Sequence, residues 1–170
     1  MELSKRKNLR LKDYDYSKNG AYFVTICVRE KHEMLGKIVG GDAHIAPISQ
    51  LSEYGLVVQK HIENINTSYP YVSVNKYVIM PNHIHLIFVI NGTIDFVYGG
   101  TMWASSPTSA VIPTIVRTLK TMVTKECGFS FWQRSYHDHI IQNEDEYRKI
   151  WQYIDENPAK WEEDRYFIHN

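Results

Sequence analysis

In the first half of the chain, the spacing of apolar residues predicts a strand, a helix and a hairpin of two strands. Residues 21–30 are rich in β-branched and aromatic side chains and follow a Lys-Asn-Gly turn signal, which indicates a strand. A glycine-rich stretch at 36–42 predicts a loop or hairpin. Residues 51–65 carry apolar side chains at steps of three and four, which is typical of an amphipathic helix. Two further strand-like runs, 71–80 and 83–90, are separated by only two turn residues and are therefore expected to pair as an antiparallel hairpin.

The second half of the chain predicts a loop, a helix, a strand and a last helix. Residues 91–112 lose the periodicity and gather Gly, Ser, Thr and Pro, so we expect a flexible surface loop there. We expect the next helix to begin at Pro113, because proline is tolerated in the first turn of a helix. Residues 136–142 predict a short strand, and a capping-box variant opens a last helix over 143–157.

The order of these elements predicts an α+β protein of the ferredoxin-like (RRM-like) kind. In this β-α-β-β-α-β arrangement, both crossover helices cover one face of an antiparallel sheet. The other face is then left for the additional C-terminal helix. Since the chain shows no repeat and no internal boundary, we expect a single domain over residues 1–170.

Composition narrows the class of protein further. The 170 residues include 44% hydrophobic and 22% charged residues, which excludes a disordered or fibrous chain. Two cysteines that lie a hundred positions apart exclude a disulfide framework and a cysteine-based zinc site. This cysteine usage indicates a reducing compartment, and the longest apolar runs are far too short to span a bilayer, so the expected location is the cytoplasm.

The formal net charge of zero hides a gradient along the chain. Residues 1–12 carry five Lys and Arg against one Glu, residues 143–170 carry four cations against eight anions, and the part between them is balanced. A neutral average argues against non-specific binding of nucleic acid. The basic arm within residues 1–20 is nevertheless placed to reach DNA phosphates, although a solubilising tail explains it equally well. Its candidate DNA contacts are Lys5, Arg6, Lys7 and Arg10.

Two histidines at the start of a predicted strand form a candidate metal site. Because side chains alternate along a strand, His83 and His85 point to the same face, about 6.8 Å apart along the backbone. Two imidazoles at this spacing can bind one metal ion. Two satisfied polar residues at a strand end are the alternative interpretation.

The last predicted helix adds two polar groups on one face. Tyr153 and Asn157 are four positions apart, so their side chains are neighbours on the helix surface. A tyrosine phenolate is an oxygen nucleophile, and an asparagine carbonyl is a neutral oxygen ligand. If this helix lies across the sheet face that bears His83 and His85, the four groups converge. Otherwise Tyr153 is a core aromatic residue and Asn157 only ends the helix.

Four segments of the chain form an ordered, family-specific combination. They are Tyr-Phe-Val-Thr at 22–25, Met-Pro-Asn-His-Ile-His at 80–85, Trp-Gln-Arg-Ser-Tyr-His-Asp-His-Ile-Ile at 132–141, and Tyr-Ile-Asp-Glu-Asn-Pro at 153–158. Together they resemble the REP-associated tyrosine transposases, which are relatives of the single-tyrosine, HUH-type (IS200-like) transposases of small insertion sequences. HUH means His-hydrophobic-His, and the resemblance extends from about residue 8 to about residue 166.

This resemblance implies cleavage and joining of single-stranded DNA next to hairpins. It implies that Tyr153 attacks a DNA phosphorus and forms a 5′-phosphotyrosine link, with a free 3′-hydroxyl as the other product. It also implies a divalent ion, Mg²⁺ or Mn²⁺, that is held by His83, His85 and Asn157. Relatives act as dimers or as monomers, so a homodimer and a monomer both stay open.

Some competing candidates lie close to these residues. Tyr136 is the second choice for the nucleophile, and Tyr147 has Trp151 rather than an amide four positions later. The second His-x-His, at 137–139, is a weaker candidate for the metal pair and has an open role. A non-catalytic nucleic-acid-binding module and an origin-nicking initiator are the alternative functions.

Further candidate DNA contacts lie on the second crossover helix and in the segment between that helix and the last strand. A tryptophan beside glutamine and arginine combines base stacking with phosphate binding, as in sites for single-stranded nucleic acid. The resemblance also favours a lysine of the second crossover helix. These four residues are Lys120, Trp132, Gln133 and Arg134.

Overall fold

The computed structural model describes residues 20–41, 46–91 and 111–168. The basic arm, with Lys5, Arg6, Lys7 and Arg10, lies outside the described residues, as does almost all of the loop expected at 91–112. Within the described ranges, no helix is both long enough and apolar enough to cross a membrane.

The described residues form strands and helices in the order that the sequence predicts, with an additional strand pair and an additional short helix at Ile65–Ser68. The strands are β1 (Gly20–Cys27), β2 (Gly36–Val39), β3 (Ile48–Leu51), β4 (Val72–Ile79), β5 (His83–Ile90) and β6 (His137–Ile141). The helices are α1 (Glu53–Glu63), α2 (Ile65–Ser68), α3 (Val111–Cys127) and α4 (Glu144–Glu156). Helix α3 therefore begins two residues before Pro113, where the sequence predicts its start. Helix α1 begins after Ser52, whose hydroxyl accepts a hydrogen bond from the Gly55 amide.

The central sheet has the strand order β4-β5-β1-β6, and every neighbouring pair is antiparallel. This order is that of a ferredoxin-like sheet, which confirms the fold class expected from the sequence. Strands β2 and β3 form a separate two-stranded antiparallel sheet, which agrees with the hairpin alternative for the part of the stretch at 36–42 that the structure describes. Strand β5 lies between two partners, which places its first residues, including the histidines, inside the sheet.

One face of the central sheet packs against α1 and α3. Tyr22 of β1 and Phe88 of β5 are fully buried in this core, because alternate residues of each strand point to the helices. The helices contribute apolar residues such as Ile62 and Leu119 at helical spacing. Burial of a large apolar side chain contributes roughly 1.5–3 kcal/mol to stability, so this face is a main source of the folding free energy.

The opposite face is covered by α4. Ile154 of this helix packs with Ile87 and Ile141 in a second buried cluster. The helix begins at Asn143, whose Oδ1 accepts a hydrogen bond from the Glu146 amide at 2.9 Å, as the capping signal predicts. This packing places the end of α4 beside the first residues of β5.

Candidate active site

The two histidines at the start of β5 point to the α4 face of the sheet. His83 pairs with Cys27 and His85 pairs with Thr25 across the β1–β5 ladder. Both imidazoles are buried, and their Nε2 atoms lie 3.0 Å apart. The period-two pattern of the strand thus brings two ring nitrogens together without any turn or loop.

Each imidazole is held by a hydrogen bond at its other nitrogen. Thr25 Oγ1 lies 2.8 Å from Nδ1 of His85, and Asn82 Oδ1 lies 2.9 Å from Nδ1 of His83. The Asn82 amide also donates to the backbone carbonyls of Lys31 and Tyr166. When Nδ1 carries the proton and donates it to these oxygens, the Nε2 lone pair is free to bind a cation.

The electrostatic surroundings keep both histidines neutral at pH 7. Burial is the largest cause that lowers the pKa of His83, and the cations Arg165 and Lys31 lower it further against the opposing effect of Asp164. Burial also holds the pKa of His85 well below its usual range, with a contribution from His83. Neutral imidazole is the form that binds a metal ion.

The hydroxyl of Tyr153 comes from α4 and meets this pair. Its Oη lies 3.3 Å from Nε2 of His85 and 3.2 Å from Oδ2 of Asp164. The tyrosine is nevertheless 39% exposed, so a substrate can reach it. Burial of the ring, followed by the negative charge of Asp164, raises the pKa of Tyr153 to about 12.

Asn157 follows the last residue of α4 and is almost fully buried. Its Nδ2 donates to Oδ2 of Asp164 at 3.0 Å, while its buried Oδ1 has no hydrogen-bond partner among the described residues. An unpaired buried carbonyl oxygen is costly unless a ligand satisfies it. Asn157 therefore has a buried, unpartnered acceptor whose chemistry fits a bound cation.

Asp164 belongs to the same site, although the sequence did not identify it. It lies in the turn that follows a short 3-10 helix at Trp161–Glu163, and it contacts both Tyr153 and Asn157. The ligand atoms of His83, His85 and Asp164 all lie within 4.8 Å of one another. The only sequence signal is an acidic residue a few positions after α4, and several acidic residues there share it.

The donor atoms of this site fit a divalent cation. Imidazole nitrogens combined with amide and carboxylate oxygens suit Mn²⁺, and oxygen donors suit Mg²⁺ when phosphate oxygens complete the shell. The unpaired Oδ1 of Asn157 and the 3.0 Å separation of the two Nε2 atoms are the observations that support this fit.

The competing tyrosines and histidines do not share this arrangement. Tyr136 packs against the core on the helix-covered face of the sheet, away from His85. Tyr147 accepts a hydrogen bond from the Asn75 amide. His137 lies opposite Thr25 and therefore on the α4 face, whereas His139 contacts Glu146 at 2.6 Å.

The candidate DNA contacts lie along a groove beside α3. Lys120 donates hydrogen bonds to the backbone carbonyls of Gln133 and Ser135, and burial lowers the pKa of its ammonium to about 8. Gln133 and the exposed Arg134 line the same groove, which has a volume of about 770 Å³.

Trp132 also reaches the groove wall, but it is only 4% exposed and packs in the main core. Its ring is therefore not available for base stacking here, contrary to the expectation from sequence.

Comparisons with known proteins found relatives by sequence. No family model matches the chain. An uncharacterized protein of Haemophilus influenzae is 36% identical over 177 residues, which cover 96% of this chain and 93% of that protein. The REP-associated tyrosine transposase of Escherichia coli K12 is 25% identical over 147 residues, with coverage of 85% and 70%.

A solved structure shows the same fold. It is a REP-associated tyrosine transposase bound to a REP hairpin, and it superposes with a TM-score of 0.60 at 22% identity over 89% of this chain and 73% of that one. The identity to the Haemophilus influenzae protein over nearly the whole of both chains places the two in one family. The Escherichia coli relative makes the chain similar to the REP-associated tyrosine transposases, and the solved structure shows that the chain shares their fold.

Proposed function

We propose that the protein cleaves and joins single-stranded DNA through a covalent link to Tyr153. The observation that carries the proposal is a half-exposed phenol whose oxygen lies 3.3 Å from Nε2 of the buried His85. A structural tyrosine in this position would need neither the second histidine nor the unpaired amide oxygen of Asn157. The combination instead matches a nucleophile beside a cation site.

In this proposal, His83, His85 and Asn157 hold a Mg²⁺ or Mn²⁺ ion through their Nε2 and Oδ1 atoms. When bound, such an ion supplies Lewis-acid polarisation of a phosphate oxygen. Asn82 and Thr25 fix the imidazoles through Nδ1 and keep the Nε2 lone pairs directed into the site.

The chemical step forms one bond and breaks one bond at phosphorus. Tyr153 loses its proton, its Oη bonds to the phosphorus, and the bond from phosphorus to the 3′ oxygen breaks. That oxygen takes up a proton and becomes a free 3′-hydroxyl, while the 5′ end stays linked to the tyrosine. Because the phosphodiester is conserved in this link, a 3′-hydroxyl can reverse the step and join strands without ATP.

The groove beside α3 is the proposed path of the DNA backbone. Its lining contains four cations and neither Asp nor Glu, which suits a polyanion. The groove also lies near the histidines in the sheet, because the Gln133 amide donates to the carbonyl of Cys27, and Cys27 pairs with His83. The four cations are Arg29, Lys120, Lys125 and Arg134.

A hairpin-forming strand is the proposed substrate, since the solved relative is bound to a REP hairpin. A non-catalytic module that binds nucleic acid on its open sheet surface is less well supported. Helix α4 covers the sheet face opposite α1 and α3, and Trp132 is buried. The aromatic surface that such a module needs is therefore not exposed among the described residues.

Covalent capture tests the proposal directly. The full-length protein is incubated with Mn²⁺ and a labelled single strand that contains a hairpin, and the products are separated under denaturing conditions. We expect a labelled protein–DNA adduct that Tyr153→Phe and EDTA both abolish. Tyr147→Phe, which removes a hydroxyl from the same helix, serves as the matched control and should keep the adduct. An adduct that persists in Tyr153→Phe would contradict the assignment of the nucleophile.

A further inference from the structure

We propose that Asp164 supplies the anionic ligand of the metal site. This inference rests on the proposed function, because it assumes that the histidines bind a divalent ion. Its starting point is geometric, since the carboxylate of Asp164 comes within 4.8 Å of the ring nitrogens of both His83 and His85. A carboxylate at such a distance from two imidazoles can share one cation with them.

The turn around Asp164 presents one carboxylate oxygen to the site and uses the other for its own structure. Oδ1 accepts a hydrogen bond from the Tyr166 amide at 2.7 Å, and the Asp164 amide donates to the Trp161 carbonyl. Oδ2 faces Tyr153 and Asn157. The side chain is therefore held in place before any cation binds, which is favourable for a ligand.

The turn is also fastened to the residues that position the histidines. Asn82, whose Oδ1 holds Nδ1 of His83, donates through Nδ2 to the Tyr166 carbonyl at 2.9 Å. Lys31 donates to the Arg165 carbonyl at 2.8 Å. Trp161 and Tyr166 anchor the segment in a small buried cluster with Cys27 and Met80. Asp164 and His83 thus belong to one connected unit, although the chain separates them by 81 positions.

Charge gives the reason why this carboxylate is needed. The imidazoles of His83 and His85 and the amide of Asn157 are neutral donors, and the nearby cations Arg165 and Lys31 act on His83. A divalent ion among neutral donors would feel these positive charges without compensation. Among His83, His85 and Asp164, only Asp164 brings a negative charge, and ligand charge is a main determinant of divalent-ion affinity.

The test measures Mn²⁺ binding to the full-length, metal-stripped protein without DNA, by the electron paramagnetic resonance signal of free Mn²⁺. We expect Asp164→Asn, which keeps Oδ1 as an acceptor for Tyr166, to weaken binding by roughly tenfold or more. Asp164→Ala should show the same loss. Glu163→Gln removes one negative charge from the neighbouring exposed position and should bind as the unmodified protein does. Circular dichroism of each variant checks that the fold is kept.

His83→Ala separates this inference from the proposed function. If His83→Ala loses Mn²⁺ binding while Asp164→Asn binds as tightly as Glu163→Gln, the role of Asp164 is wrong and the histidine site stands. If His83→Ala binds as tightly as the unmodified protein, the metal site of the proposed function is itself wrong, and the role of Asp164 with it.

Discussion

Thr25 Oγ1 lies 2.8 Å from Nδ1 of His85, across a strand pair and 60 positions of sequence. Both residues are buried, so this hydrogen bond is not exchanged with water. If the imidazole donates from Nδ1, its Nε2 lone pair faces His83 and Tyr153. A single hydroxyl on a neighbouring strand therefore holds the Nδ1 edge of the His85 ring and sets the direction of its Nε2 atom.

Replacement of Thr25 by valine should weaken Mn²⁺ binding by about 10- to 100-fold, because the imidazole of His85 loses the hydrogen-bond partner that orients it. The measurement is Mn²⁺ affinity of the full-length protein without DNA. Thr121→Val is the matched control, since it removes an exposed hydroxyl that donates to the Arg117 carbonyl on α3. Equal affinities of Thr25→Val and Thr121→Val would show that the Thr25 hydroxyl does not orient the ligand.

The buried histidines should make the metal-free protein less stable as the pH falls from about 6.5 towards about 4. Their pKa values are lower in the folded than in the unfolded chain, so the unfolded state binds more protons in this window. The free energy of unfolding should fall by about 1.4 kcal/mol per pH unit for each proton taken up. Denaturant unfolding in EDTA at several pH values measures the slope of the free energy of unfolding against pH.

Two variants identify the source of this slope. His83→Gln should reduce it, because one of the two buried groups no longer titrates. His32→Gln makes the same substitution at an exposed position and is the matched control. The explanation fails if the His83 variant keeps the full slope of the unmodified protein.

Loss of the Arg134 guanidinium should weaken the binding of single-stranded DNA. The loss of affinity should be similar for different DNA sequences. If Arg134 contacts one phosphate, Arg134→Ala should also reduce the slope of log affinity against log salt by about one. Fluorescence anisotropy at several salt concentrations gives both quantities. Arg148→Ala, on the outer surface of α4 and paired with Glu144, should change neither. Similar losses in both variants would argue against a defined path along α3.

Removal of the Asn143 cap should lower the free energy of unfolding by about 1 kcal/mol, because the Glu146 amide at the start of α4 loses its acceptor. Asn143→Ala tests the cap, and Asn143→Asp keeps an acceptor oxygen and should be close to neutral. Denaturant unfolding at neutral pH distinguishes the two. Equal stability of the alanine and aspartate variants would mean that other contacts determine where α4 begins.

The sequence predicted those parts of the site that follow a regular period. The period of two places His83 and His85 on one strand face, and the helical period places Tyr153 and Asn157 on one helix face. Asp164 follows neither period, since it reaches the site through the turn that Asn82 holds from a distant part of the chain. Such a contact leaves no local pattern in the sequence.

The misassigned Trp132 has a similar cause. Its polar neighbours Gln133 and Arg134 indicate a surface, and both do line a groove. The backbone of Trp132 forms a bridge with Val28 beyond the end of β1, and this continuation of the sheet turns the indole into the core. Strand pairing between distant segments therefore decides the exposure of this ring, and composition alone does not reveal it.

Helix α4 covers one face of the sheet and also carries the proposed nucleophile, with Ile154 buried directly beside the half-exposed Tyr153. The chain would therefore lose the proposed chemistry by one substitution at Tyr153, but it cannot lose the helix without exposing the apolar side chains beneath it. Inactivated descendants of such a protein should retain the full architecture. Among relatives, an intact fold is thus weak grounds for assuming activity, and the residue at the position of Tyr153 is the more informative marker.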